Sequence, residues 1–147
     1  MTTPSRLRLF YLLHLSKPSS DRPIYKELCR NEIRKIVELG VGTGQRAVRM
    51  IQTASEFCSP GEIFYTGIDP FETRSEQDGP GLSLKEAHCL LKTTGARIQL
   101  APGKLDEALP RVANLLGKVD LLLISGRADD KPLSAMAWFY LPRLLHE

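Results

Sequence analysis

The chain has 147 residues, of which 42% are hydrophobic and 25% charged, as in an ordinary soluble globular domain and unlike a disordered chain. Its net charge of +3 is too small to indicate nucleic-acid binding by itself. The basic excess is concentrated in residues 1–36, which carry eight Lys or Arg against three acids. We interpret this segment as a solvated helix face, the usual meaning of such a run, rather than as a site for an anionic partner.

The cysteines and the apolar runs exclude several other classes. Cys29, Cys58 and Cys89 are odd in number, widely spaced and outside any CxxC or Cys/His cluster, which argues against a disulfide scaffold or a structural zinc site. The apolar run at 9–13 is too short for a signal peptide, and no small-x-small cleavage site follows it. No stretch approaches the roughly 20 apolar residues of a membrane span. We therefore expect a soluble, cytoplasmic protein that has no membrane partner.

In chain order, residues 1–32 are predicted to form an N-terminal flank of one or two helices, divided by the segment SKPSSDRP. From residue 33 onward, apolar runs of strand length alternate with helical patterns, which is typical of a parallel sheet covered by helices. The four strand candidates are IRKIVELG, EIFYTGID, ARIQLAPG and VDLLLIS. The last is an almost unbroken apolar run, as expected for a strand buried on both faces.

The helices follow from the apolar spacing and the breakers between the strands. An amphipathic pattern predicts a helix over 45–58, and residues 71–82 are predicted to form a polar loop. Ser83 and Glu86 fit a capping box that opens a second helix, which ends at Gly95. A third helix is predicted to end near Gly117 and to start properly only at Pro110. The last segment, from residue 132 to the end, has a helical pattern that Pro142 is expected to kink or end.

The stretch VELGVGTG places Gly40, Gly42 and Gly44 between the first strand and the first helix of the sheet domain. Ligands of parallel sheets bind at such strand ends, where glycine lets them reach backbone N–H groups. The spacing departs from the dinucleotide fingerprint G-x-G-x-x-G/A, because Gln45 stands at the third position. Glu38 would also repel a pyrophosphate, whereas it would attract the cationic amino-acid end of another ligand.

These residues resemble a known family. VELGVGTG resembles motif I of class I S-adenosylmethionine-dependent methyltransferases, the E/D-x-G-x-G-x-G loop, and YTGIDP resembles the acidic position that follows it. More narrowly, the series IVELGVGTG, YTGIDP, LDEALPRV, VDLLLISG and AWFYLPRLL is similar to the small-molecule O-methyltransferase-like branch, the methyltransferase 24 type, over residues 33–145. The resemblance implies an α/β fold, Rossmann-like and three-layered (α/β/α), with a mostly parallel sheet of which the first four strands are present. Residues 33–147 would be the cofactor-binding domain.

The resemblance also implies that the cofactor is S-adenosylmethionine and which residues contact it. Gly40, Val41, Gly42 and Gly44 would line its methionine part, and Glu38 would hold the ammonium, directly or through water. Asp69 would accept hydrogen bonds from both ribose hydroxyls. The remaining expected contacts are Pro70 and Phe71 near the adenine, Gly103 and Lys104 on its other side, and Ser125 at the end of the fourth strand.

The sequence departs from this branch after the fourth strand. Ser125 stands where metal-dependent relatives have an acid that helps to hold a divalent cation, and a histidine that normally follows is absent. Serine is a poor ligand for a hard cation, so we predict no metal. Asp129 and Asp130 could face a substrate, but two acids in a polar loop are more often solvated. No catalytic residue is assigned; His14 in the N-terminal flank is a weak candidate, and His88 is interpreted as a packed or surface residue.

The predicted function is methyl transfer from S-adenosylmethionine to an oxygen or nitrogen of an unidentified small molecule. The alternative is a catalytically degenerate cofactor-binding or interaction module of the same fold, and a weaker one is a domain that binds NAD or a nucleotide-sugar. The family sheet has seven strands, whereas four are found here, which would leave the fourth as an apolar edge. We expect either that the sequence is a fragment or that a second copy of the chain, in a homodimer, covers this edge.

Overall fold

The structure is a computed structural model that describes residues 6–124 together with positions 142 and 145. In this part of the chain, four strands form one parallel sheet with the order β3-β2-β1-β4. The strands are β1 (Lys35–Leu39), β2 (Phe64–Asp69), β3 (Arg97–Pro102) and β4 (Leu121–Ile124). The chain moves outward from β1 to β3 and then crosses to the other side of β1. The order therefore reverses at β1, where open parallel sheets bind their ligands.

Among the described residues, five α-helices accompany the strands: α1 (Arg6–Phe10), which a π-helical turn (Tyr11–Leu15) continues, α2 (Arg22–Arg30), α3 (Gln45–Ala54), α4 (Leu84–Lys92) and α5 (Leu105–Leu116). Because side chains alternate along a strand, β1 contributes to two cores. Ile36 belongs to a cluster built with α2, α3 and α4, while Val37 and Leu39 belong to a cluster built with α5. Helices thus cover both faces of the sheet, and the predicted three-layer α/β/α fold is confirmed.

The first helix after β1 is shorter than predicted. The pattern predicted a helix over 45–58, but α3 ends at Ala54. Beyond it, the N–H groups of Glu56 and Phe57 bond to carbonyls three residues back, those of Thr53 and Ala54, at 3.1 Å. The apolar spacing therefore continues while the backbone tightens into a turn, and spacing alone does not distinguish these two cases.

The capping box at the start of α4 is confirmed. The N–H of Glu86 donates to Ser83 Oγ at 3.1 Å, and the N–H of Ser83 donates to Glu86 Oε2 at 2.9 Å. The helix ends at Lys92 rather than continuing to Gly95. The hydroxyls of Thr93 and Thr94 donate to carbonyls of the last turn at 2.6 Å, and such local bonds compete with helix continuation.

The predicted start of α5 at Pro110 was wrong, because the helix begins at Leu105 and contains Pro110 in its second turn. A proline there removes one backbone hydrogen bond. The apolar side of the helix, which includes Ala108 and Leu109, is buried against the sheet on both sides of the proline. This burial offsets the lost bond and holds the first turn in place.

The last described strand is less buried than predicted. An apolar run buried on both faces was expected, but within the described residues β4 is an edge strand that is half-buried, and Ile124 is 43% exposed. The predicted C-terminal helix lies outside the described residues except for positions 142 and 145. Within the described part of the chain, no helix is both long and apolar enough to cross a membrane.

Candidate functional site

A cavity of about 390 Å³ lies at the carboxyl edge of the sheet, where β1 and β2 end. Four segments line it: the N-terminal flank (Pro18, Asp21), the glycine loop (40–43), the first turns of α3 (Gln45, Arg46, Arg49), and the end of β2 with the segment after it (Asp69, Arg74, 77–80). Its charged lining consists of three arginines and three aspartates, which balance. This balance suits a ligand that carries both signs of charge better than a polyanion.

The glycine loop is built from left-handed backbone. Gly42 has a φ of 59°, and a Cβ there would contact only the Pro80 carbonyl oxygen, at 3.8 Å. Gly44 has a φ of 78° and serves packing instead, because its Cβ would lie 2.9 Å from a methyl group of Leu90 in α4. Gly42 therefore keeps the loop open toward the cavity, while Gly44 lets α3 approach α4.

Asp69 joins the end of β2 to the glycine loop. Its Oδ1 accepts the N–H groups of Val41 and Gly42, at 3.0 and 3.2 Å. Its Oδ2 accepts the N–H of Phe71 at 3.0 Å and a bond from Arg74 Nη2. The side chain lines the cavity although it is only 2% exposed. A carboxylate has about four acceptor positions, so the protein itself fills the acceptor capacity of Asp69.

Arg74 reaches Asp69 from the segment that follows β2. Its Nη1 donates to the carbonyl of Asp78 at 2.9 Å, which holds the segment folded back over the loop. A Cβ at Gly81 would lie 2.2 Å from the Arg74 guanidinium, so Arg74 packs where residue 81 has no side chain. The N–H of Leu82 then donates to the Gly42 carbonyl at 3.2 Å. Residues 74–82 therefore form a cover, which we call the Arg74 segment, across the glycine loop.

Glu38, at the end of β1, is fully buried and does not line the cavity. The Tyr65 hydroxyl donates to its Oε1 at 2.5 Å, and Arg46 Nε donates to its Oε2 at 2.7 Å. Burial raises the pKa of the Glu38 carboxyl, while Arg46 and Tyr65 oppose that rise. Burial also raises the pKa of Tyr65 well above its usual value. The structure thus places Arg46 between Glu38 and the cavity.

On the other side of Arg46 lies the N-terminal flank. Arg46 Nη1 is 3.6 Å from Asp21 Oδ1, and Arg49 Nη1 donates to the Lys17 carbonyl at 3.0 Å. The buried Tyr25 hydroxyl has no well-aligned hydrogen-bond partner among the described residues. Burial raises its pKa, but Arg49 lies close enough to oppose the rise. Because Arg49 can only donate, the Tyr25 hydroxyl proton has no acceptor among the described residues and can donate to a ligand.

Of the residues predicted to contact the cofactor, the structure places Gly40, Val41, Gly42 and Asp69 around the cavity. The lining does not include Glu38, Gly44, Pro70, Phe71, Gly103 or Lys104. Phe71 is buried against Val41 and Ala87 and has an unusual positive φ of 50°. Ser125, Asp129 and Asp130 lie outside the described residues.

The two histidines considered above lie away from the cavity: His14 is exposed and contacts Phe10, with ring centroids 4.9 Å apart, and His88 is exposed on α4. Among the residues that the structure describes, no group of three or more His, Cys, Asp or Glu is arranged to hold a metal ion.

Sequence reasoning missed Arg46, Arg74 and Gly67. Gly67 lies within β2, and a Cβ there would lie 2.6 Å from a methyl group of Val41, so its missing side chain lets the glycine loop pack onto the sheet. An isolated glycine inside a strand pattern is a known sign of such close approach. No comparable sign marks the arginines, because their pairing with acids depends on how distant segments fold together.

Comparisons with known proteins support the fold. No family model matches the sequence, and no curated protein matches it. Eight chains of solved structures match, among them an S-adenosylmethionine-dependent methyltransferase from Thiobacillus denitrificans in complex with S-adenosyl-L-homocysteine. The TM-score is 0.51 and the sequences are 16% identical; the match covers 99% of this chain and 53% of that one. The chain thus has the fold of part of that methyltransferase and spans about half of its length.

Proposed function

We propose that this chain binds S-adenosylmethionine and takes part in methyl transfer to an oxygen or nitrogen of a small molecule, as in the methyltransferase 24 type. The observation that carries the proposal is the bonding of Asp69 to the amides of Val41 and Gly42 at the cavity wall. It brings the acid after β2 and the glycine loop after β1 into one site, the arrangement that the two sequence motifs imply. The fold similarity to a methyltransferase that binds S-adenosylhomocysteine supports the same reading.

The cavity fits such a cofactor in size and charge, with one required movement. Its volume of about 390 Å³ lies in the range of small-molecule sites, roughly 300–1,000 Å³. Asp69 would accept from a ribose hydroxyl, but its acceptor positions are filled. Of its four donors, three are backbone N–H groups of the loop and of residue 71, and only Arg74 is a side chain. Arg74 is therefore the donor that ribose would replace.

Bound S-adenosylmethionine supplies a methyl group on a sulfonium, which an acceptor attacks in line. The residues of this chain would act by positioning: the glycine loop by close backbone contact and Asp69 by fixing the nucleoside. The described lining contains no histidine, cysteine or lysine. Acceptor deprotonation is thus not assigned to any residue here, and orientation and electrostatics carry the proposed mechanism.

A catalytically degenerate binding module of the same fold is a second candidate. The observation that favours it is that an arginine of the chain itself occupies each of the two predicted cofactor acids, Arg46 on Glu38 and Arg74 on Asp69. A folded sample that binds S-adenosylmethionine but methylates nothing in a broad panel of phenols, catechols and amines would support this candidate over the first.

The binding proposal is tested by calorimetric titration with S-adenosylhomocysteine. The variant Gly42→Val adds a side chain to the loop at the cavity, and Gly117→Val is its matched control. Gly117 has a similar φ of 62° and open space around it, and it lies after α5, away from the lining. Both variants place a β-branched residue at a positive φ, which L residues rarely adopt. We expect binding by the wild type and Gly117→Val and a loss of at least a hundredfold in Gly42→Val.

Absence of binding to folded wild-type protein would defeat the proposal. A thermal-shift screen that included NAD and nucleotide-sugars would then show whether the weaker dinucleotide alternative applies. Equal losses in the two valine variants would show that strain, rather than contact with the ligand, explains the effect.

A further inference from the structure

Besides Asp69 and Arg74, a second group of charged side chains lines the cavity. It lies where α3 meets the N-terminal flank. Resemblance assigned the recognition of the cofactor's ammonium to Glu38. The structure places Glu38 off the cavity, with one oxygen bonded to Tyr65 and the other to Arg46. Replacing either bond would break a contact inside the core. A ligand ammonium therefore needs a different acid.

Asp21 is the acid that the structure offers. It lines the cavity from the turn that precedes α2 and lies 3.6 Å from the Arg46 guanidinium, which in turn bonds to Glu38. The charges of Glu38, Arg46 and Asp21 therefore alternate in a row, and Asp21 is the carboxylate of the row that lines the cavity. A cation placed at this end would continue the alternation.

Arg49 supplies the opposite charge at the same end. It lies one helical turn after Arg46 on α3, lines the cavity and is held by the Lys17 carbonyl at 3.0 Å. The buried Tyr25 hydroxyl lies close to Arg49, Asp21 and Arg46. Its proton has no acceptor among the described residues. A carboxylate on Arg49 would give this hydroxyl an acceptor. A guanidinium beside a hydroxyl is a common receptor for a carboxylate.

We propose that Asp21 and Arg49 form a zwitterion site that binds the α-ammonium and α-carboxylate of the amino-acid end of the cofactor, with the Tyr25 hydroxyl as a second donor to the carboxylate. The inference rests on the proposed function, because it assumes an adenosyl amino acid in the cavity. It transfers the role that resemblance gave to Glu38 to a residue of the N-terminal flank. The N-terminal flank would then contribute a direct contact to the cofactor.

Three ligands separate the contributions: S-adenosylhomocysteine, its decarboxylated analogue, which keeps the amine, and 5′-methylthioadenosine, which lacks both groups. Calorimetry would be run on the wild type, Arg49→Met, Asp21→Asn and the matched acid control Glu38→Gln. We expect Arg49→Met to weaken S-adenosylhomocysteine about tenfold or more and the decarboxylated analogue by less than twofold, as loss of one charge-assisted hydrogen bond implies. Asp21→Asn should weaken both amine-bearing ligands about tenfold. Neither variant should change the affinity for 5′-methylthioadenosine, which also shows that the variants are folded.

Arg49→Lys keeps the charge and should recover part of the loss for S-adenosylhomocysteine. The inference is overturned if Arg49→Met weakens all three ligands equally, or if Glu38→Gln rather than Asp21→Asn weakens the amine-bearing pair. If the wild type binds S-adenosylhomocysteine and no variant changes any affinity, the zwitterion site is refuted while the proposed function stands. If folded wild type binds none of the three ligands, the proposed function fails and the inference fails with it.

Discussion

Two carboxylate–arginine pairs lie at neighbouring strand ends, and they are built differently. Glu38 at the end of β1 takes its bonds from two side chains, Tyr65 and Arg46, inside the core. Asp69 at the end of β2 takes three of its bonds from backbone N–H groups and only one from a side chain, Arg74. The first pair is part of the packing, whereas the second shapes a loop and has one side-chain partner, Arg74, which we propose that a ligand replaces. Residue type and strand position alone do not reveal this difference.

The largest expected effect comes from removing the arginine of the buried pair. Arg46→Met would leave the fully buried Glu38 carboxylate without its cation and lower the free energy of unfolding by about 3–5 kcal/mol near pH 7. Urea denaturation of the variant, compared with the wild type, measures this loss. The double variant Glu38→Gln/Arg46→Met should be more stable than Arg46→Met alone; if it is less stable, Glu38 is not the group that needs Arg46.

The pH dependence of Glu38 gives the next effect. Its pKa is raised in the folded protein, chiefly by burial, so above about pH 4.5 the folded state binds more protons at this site than the unfolded state. The contribution of Glu38 to stability is therefore present at low pH and declines as pH rises through the raised pKa, by at most about 1.4 kcal/mol per pH unit.

The free energy of unfolding of the wild type minus that of Glu38→Gln should thus fall as the pH rises from about 4.5 through the raised pKa of Glu38. Denaturation curves at half-unit pH intervals provide the measurement. A difference that grows with pH would mean that Arg46 overcomes burial and keeps the carboxyl ionised.

Removing the arginine of the second pair, Asp69 and Arg74, should have a smaller effect, and it should strengthen ligand binding. Arg74→Met removes the donor that competes with ribose for Asp69, so S-adenosylhomocysteine should bind about three- to tenfold more tightly, because the site no longer has to open first. Calorimetry measures the change. Arg97→Met is the control, since Arg97 lies over the Phe64 ring at 4.8 Å, outside the cavity lining. Weaker binding by Arg74→Met would make Arg74 a cofactor contact.

The smallest effect tests the same pair without changing either partner. In Gly81→Ala, the new Cβ would meet the Arg74 guanidinium at 2.2 Å and push it away from Asp69. We expect S-adenosylhomocysteine to bind about two- to threefold more tightly, in the same direction as in Arg74→Met. Gly61→Ala, where a Cβ meets nothing within 4 Å, should leave the affinity unchanged. If the affinity for S-adenosylhomocysteine changed in opposite directions in Gly81→Ala and Arg74→Met, the effect of Gly81→Ala would not act through the bond between Arg74 and Asp69.

Local signals in the sequence predicted the fold well. Alternating apolar runs located all four described strands, and the Ser83–Glu86 capping box located the start of α4. The errors arose where tertiary packing outweighs local preference. Pro110 lies inside α5 because the residues around it are buried. After Ser55 the apolar spacing continues, but the N–H groups of Glu56 and Phe57 bond three residues back instead of four.

The candidate site was predicted only in part, for a related physical reason. The glycine loop and Asp69 are marked by their position after strands, so the sequence brings them to the same edge. The partner of each acid is a long side chain from a later segment, Arg46 or Arg74, and its reach depends on the three-dimensional path of the chain. Sequence patterns therefore located the acids but not what they bind.

The most direct test of the central claim is a crystal structure of this chain with S-adenosylhomocysteine. We expect a ribose hydroxyl at hydrogen-bonding distance from Asp69 Oδ2, roughly 2.5–3.0 Å, in the position that Arg74 leaves, with the N–H groups of Val41 and Gly42 still on Oδ1. A complex in which Arg74 remains on Asp69 and the nucleoside lies elsewhere would contradict it.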